Sequence, residues 1–103
     1  MSSKYSPLIT KLINNHDAWI FGSAADPENI NPRDYDIFIP VNEWHTACLL
    51  IPSDFKINTL GGFKIIDDNK EVDIFTGNFN EFITRNFFKY AFHPKTNIRI
   101  IRI

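Results

Sequence analysis

Apolar residues in this chain come in short runs, each stopped by glycine, proline or a polar cluster, and that punctuation most limits what it can fold into. Ala18-Trp19-Ile20-Phe21 halts at Gly22-Ser23. Tyr35, Ile37 and Ile39 alternate with Asp34, Asp36 and Phe38 until Pro40, and Phe63 to Ile66 and Val72 to Phe75 flank the polar tip Asp67-Asp68-Asn69-Lys70. Runs this short, with alternation between two faces, are strands, and the polar tip marks a hairpin. Phe55 to Asn58 reads as an edge strand, Gly61-Gly62 as a turn, and Ile98 to Ile103 as a last strand closing the sheet.

Helical spacing appears in three places. Ser6-Pro7 starts a helix over residues 7 to 15, with Leu8, Ile9, Leu12 and Ile13 on its apolar side. A second begins at Val41 or Asn42 and carries Trp44, Ala47, Cys48, Leu50 and Ile51 up to Pro52. Asn78 caps a third, whose stripe of Phe79, Phe82, Ile83 and Phe87 extends toward Tyr90. Residues 24 to 33, rich in Asn and Pro, form a loop with room for one helical turn. No repeat or linker divides the chain, so 1–103 is expected to be a single domain.

Composition removes several classes of function. A net charge of -1 gives no global positive field, which disfavours a long nucleic acid as partner. Cys48 is the only cysteine, so no internal disulfide or multi-cysteine zinc site forms; its apolar neighbours predict a buried thiol, and a reducing cytoplasm suits it. No segment has the length of a membrane span or the pattern of an export signal. His16, His45 and His93 lie in separate segments without metal-ligand spacing and read as structural or surface residues. The aromatic cluster from Phe79 to Phe92 reads as core.

The chemistry concentrates in aspartates. Asp34 and Asp36 project from the same face of one strand, roughly 6 to 7 Å apart along it, and can reach a shared cation. Asp73, between Val72 and Ile74, completes the set if its strand lies beside the first. Hard carboxylate oxygens suit magnesium or manganese held jointly with substrate phosphates. Gly22-Ser23, directly after a strand, offers close backbone approach and donors to a phosphate.

Strand, Gly-Ser, ten intervening residues, Asp-Tyr-Asp-Ile, a helix, then a strand with a lone aspartate is an order that resembles the nucleotidyltransferase superfamily of the polymerase-beta type. The matching residues are Gly22, Ser23, Asp34, Asp36 and Asp73. The likeness is to short stand-alone members found in phage and bacterial genomes, with Asn58 and Gly61-Gly62 also in place, and covers roughly residues 7 to 90. The resemblance implies an α+β fold with a mixed, mainly antiparallel sheet flanked by helices. It also implies metal-dependent transfer of a nucleoside monophosphate, most plausibly AMP, from a triphosphate to a hydroxyl of a protein, RNA or small molecule in the cytoplasm. Asp34 and Asp36 would bind metal and phosphates, and Asp73 would help activate the acceptor and share the metal. Basic residues that often follow Gly-Ser are replaced by Ala24-Ala25-Asp26, which leaves Lys64, Arg33 or a partner to meet the triphosphate charge. The alternative is a noncatalytic module on the same fold, acting through a helical protein partner. Retention of all three aspartates favours the enzyme.

Overall fold

Among the described residues seven short strands share one sheet, and helices close both of its faces. The computed structural model describes residues 5–51, 56–57 and 62–102; of Lys56 and Ile57 it describes the backbone. Asn58 and Gly61 lie outside the described residues. In chain order the elements are α1 (Pro7–Asn15), β1 (Trp19–Phe21), a 3₁₀ turn (Gly22–Ala25), β2 (Asp34–Pro40), α2 (Val41–Cys48), β3 (Lys56–Ile57), β4 (Phe63–Asp67), β5 (Lys70–Gly77), α3 (Phe79–Arg85), β6 (Tyr90–His93) and β7 (Ile98–Ile101).

Local chemistry sets the boundaries. Ser6 caps α1, its hydroxyl accepting from the Ile9 amide at 3.3 Å, and Pro7 at the first position loses nothing by lacking an N–H. Asn78 does the same for α3, accepting from the Glu81 amide at 3.1 Å. Between β4 and β5 the loop is Asp68-Asn69, with φ of 53° and 64°, the left-handed pair that matches the twist of a two-residue hairpin.

The strand order is β3-β4-β5-β2-β1-β6-β7. The β2–β5 pair is parallel and the other pairings among the described residues are antiparallel, so the sheet is mixed and mainly antiparallel and the fold is α+β. One face packs Ile20, Tyr35, Ile37, Ile39, Val72 and Ile74 with Ile9 and Leu12 of α1 and Ala47 of α2. The opposite face is aromatic, with Phe21, Phe38 and Phe75 packed on Phe82 of α3. No helix among the described residues is long and apolar enough to cross a membrane.

Four expectations are corrected. The second helix ends at Cys48, and the thiol is exposed rather than buried, because only Ala47 among the last residues of α2 turns toward the sheet. The third helix stops at Arg85: the Asn86 side-chain amide donates back to the Phe82 carbonyl at 3.1 Å while its own backbone is extended. Tyr90 therefore lies in β6, and Phe87, expected in the core, is 74% exposed.

Candidate functional site

The parallel pairing of β2 with β5 puts Asp36 directly opposite Asp73 and Asp34 opposite Glu71. Neighbouring strands lie about 4.8 Å apart, so the Asp36 and Asp73 side chains leave the sheet side by side, closer than Asp34 and Asp36 are along one strand. All three aspartates belong to the aromatic face, on the side of the sheet that α3 covers farther along the strands. The register thus brings together the carboxylates that the sequence named in separate segments.

Asp36 and Asp73 are half-buried, and Asp34 is exposed. Burial first, then the charges of Asp73 and Asp34, raise the Asp36 pKa from 3.8 to about 6, with Lys64 opposing them. The carboxylate set is therefore short of positive charge when ionised. Lys64 reaches it because β4 pairs Lys64 with Asp73, and its ammonium also lies 3.6 Å from Glu71. Arg33, the other cation considered from sequence, is exposed immediately before β2.

Gly22 sits against this cluster. Its φ is 70°, and a Cβ there would lie 3.2 Å from Asp36 Oδ2 and 3.8 Å from Phe88 Cδ1. Glycine is needed both for the left-handed backbone and for the close approach to a carboxylate. Ser23 follows on the surface, and its carbonyl accepts from the Asp26 amide and the Asn29 side-chain amide, both at 3.2 Å, which ties the loop back onto the turn. From β7, the Arg99 guanidinium donates to the Ala25 carbonyl at the end of the same turn and stacks over the Phe92 ring, 4.3 Å from its centre.

The sequence marks Phe88 only as part of an aromatic core and Arg99 only as one of a basic C-terminal group, a solvated edge or else a phosphate contact, and both come from segments distant in the chain. Nothing in their local pattern marks them as neighbours of Gly22 or Ala25.

The donor set suits a hard divalent cation: clustered carboxylates, one made reluctant to ionise by burial and then by the others, gain most from a positive ion. Among the described residues no group of three His, Cys, Asp or Glu is gathered as a ready-made cage. A cation here would meet Asp36 and Asp73 across the two strands and Asp34 along β2.

Two histidines serve the fold. Buried His93 accepts at Nδ1 from the Thr96 amide, 3.2 Å away, so Nε2 carries the hydrogen toward Asp17 Oδ1 at 2.5 Å. His16, also buried, meets Glu43 at 3.2 Å, and His45 is exposed. A separate cleft of about 200 Å³ opens between α3 and the end of β5, lined by Phe75, Thr76, Asn78, Glu81 and Arg85 and by none of the three aspartates.

Compared with family models, with curated proteins and with solved structures, the chain finds no match in any of the three.

Proposed function

We propose that this chain is a metal-dependent nucleotidyltransferase that moves a nucleoside monophosphate, AMP by preference, from a triphosphate to a hydroxyl group. The observation that carries the reading is the register of β2 on β5, which sets Asp36 beside Asp73 on the face that also holds Asp34 and abuts Gly22. Burial, and then repulsion from Asp73 and Asp34, raise the Asp36 pKa, and a bound cation would relieve the repulsion.

In this reading Asp34 and Asp36 hold magnesium or manganese with the triphosphate, and Asp73 shares the cation. The metal supplies charge neutralisation at the phosphoryl oxygens. Gly22 admits the phosphates close to the backbone, and the Ser23 hydroxyl and amide are donors on the exposed side of the turn. Lys64, held near Asp73 by its cross-strand register, offsets part of the triphosphate charge. Asp73 accepts the proton of the acceptor hydroxyl as its oxygen bonds to the α-phosphorus; the bond from that phosphorus to the β-phosphate oxygen breaks, and pyrophosphate leaves. The acceptor is a protein, an RNA end or a small molecule, and a helical protein partner completes its binding. The single exposed thiol suits action in a reducing cytoplasm.

Calorimetry tests the binding half of the proposal. Titration of ATP into the protein with magnesium should give saturable heat that excess chelator removes, and Asp34→Asn with Asp36→Asn should abolish it. Undiminished ATP affinity in chelator, or in the double variant, would remove the basis of the assignment.

A further inference from the structure

The C-terminal hairpin has a character of its own. After Glu81 the sequence contains Arg85, Lys89, Lys95, Arg99 and Arg102 but no aspartate or glutamate, in a chain whose net charge is -1. β7 lies at the end of the strand order, and all four of its residues are exposed, including Ile98 at 51% and Ile101 at 55%. Close by, Phe87 is 74% exposed with the Arg102 guanidinium 5.7 Å from its ring centre. A bare apolar edge strand is a liability unless something pairs with it.

The ladder fixes what that edge offers. Arg102 donates its amide to the Lys89 carbonyl at 2.8 Å, so the hydrogen-bonded pairs of β6 and β7 are Lys89 with Arg102, Ala91 with Ile100 and His93 with Ile98. The alternate residues, Arg99 and Ile101, turn their N–H and C=O groups outward, away from β6. Outward backbone groups, flanking isoleucines and a cationic surround together match one kind of ligand.

We propose that β7 docks an extended polypeptide segment of another protein, in which acidic residues alternate with apolar ones, and that the segment adds to the sheet as a further strand. The backbone of Arg99 and Ile101 supplies the ladder, Ile98, Ile100 and Ile101 supply apolar contact, and Arg102 with Lys89 supplies charge complementarity. A second copy of this chain is a poorer occupant, because pairing two β7 strands brings Arg99 and Arg102 of both copies together. A nucleic acid would use the charges but neither the outward backbone groups nor the isoleucines. The inference does not depend on the nucleotidyltransferase reading.

The test uses the full chain and a short fluorescein-labelled peptide of alternating valine and glutamate, followed by fluorescence anisotropy. Wild-type protein should bind it saturably, more weakly at high salt, and ignore the valine-lysine counterpart. Ile101→Pro should weaken binding by about tenfold or more, the scale of one lost charge-assisted or ladder hydrogen bond, while melting like wild type because that N–H points away from β6. Arg102→Glu should weaken it by a similar factor and serves if the proline variant does not fold. Equal binding of the lysine peptide, or full affinity in both variants, overturns the proposal. So does binding of oligouridylate in place of the peptide, or an Ile101→Pro-sensitive dimer in sedimentation without peptide binding.

Discussion

Replacing Asp36 with asparagine should stabilise the metal-free protein at neutral pH, even though it removes a residue central to the site. In the folded chain the Asp36 carboxyl has a pKa of about 6 against 3.8 for an ordinary aspartate, from burial first and then from Asp73 and Asp34. The folded state therefore holds this proton more tightly than the unfolded chain does. Stability from the protonated carboxyl is fully present below about pH 4, declines as pH rises toward about 6, and is gone above that. At 1.36 kcal/mol per pH unit the shift corresponds to about 3 kcal/mol, and water reaching the half-buried group reduces the effect to roughly 1 to 2 kcal/mol. Asparagine keeps the shape and carries no charge, so Asp36→Asn should melt about 4 to 16 °C higher at pH 7 in chelator, given 4 to 8 °C per kcal/mol for a domain of this size. Thermal melts from pH 4 to 8 provide the assay. The two curves should converge near pH 4 and separate up to about pH 6, then run parallel. Equal melting at every pH, or a variant less stable at pH 7, would refute the reasoning.

Two further outcomes follow from packing and backbone geometry. Gly22→Val should weaken ATP binding in calorimetry more than Ser23→Ala, since a Cβ at φ 70° is strained and would meet Asp36 Oδ2 at 3.2 Å, whereas the hydroxyl is one donor among several; normal binding by a folded Val variant would place the phosphates elsewhere. Phe82→Ala should cost about 3 to 5 kcal/mol in urea unfolding, because its ring lies 5.0 to 5.5 Å from those of Phe21, Phe38, Phe75 and Phe88.

Much of the sheet was legible because its signals are local. Pro7, Pro40 and the Asp68-Asn69 tip act within a few residues of where they stand, and alternation assigned Asp34, Asp36 and Phe38 to one face without reference to the rest of the chain. The C-terminal third misled for the same reason. Phe79, Phe82, Ile83, Phe87 and Tyr90 continue a helical spacing, but the helix is ended by Asn86 bonding back to Phe82, and Tyr90 then pairs with Ile101 in a strand. Short aromatic runs fit either periodicity, and tertiary pairing decides between them. Cys48 misled because buried Ala47 beside it points the other way, while Leu49 on its far side is 78% exposed. In the candidate site, the aspartates were legible as residue types at a spacing, but their meeting was conditional on which strand lies beside β2. The parallel choice of β5 is a long-range property, as is the arrival of Phe88 at Gly22 and of Arg99 at Ala25.

If the carboxylates on β2 and β5 perform nucleotidyl transfer as proposed, Asp73 is where binding and chemistry separate. A base that takes the acceptor proton matters more in the transition state than in the bound ground state. The decisive measurement incubates the protein with magnesium, each α-labelled nucleoside triphosphate in turn and a cell extract, and follows label entering an acceptor. Wild-type protein should label an acceptor, most strongly from ATP. Asp73→Asn should keep most of its ATP affinity and lose about a hundredfold or more in transfer. If no acceptor is labelled from any of the triphosphates, or labelling persists undiminished in Asp73→Asn, the enzyme assignment is contradicted.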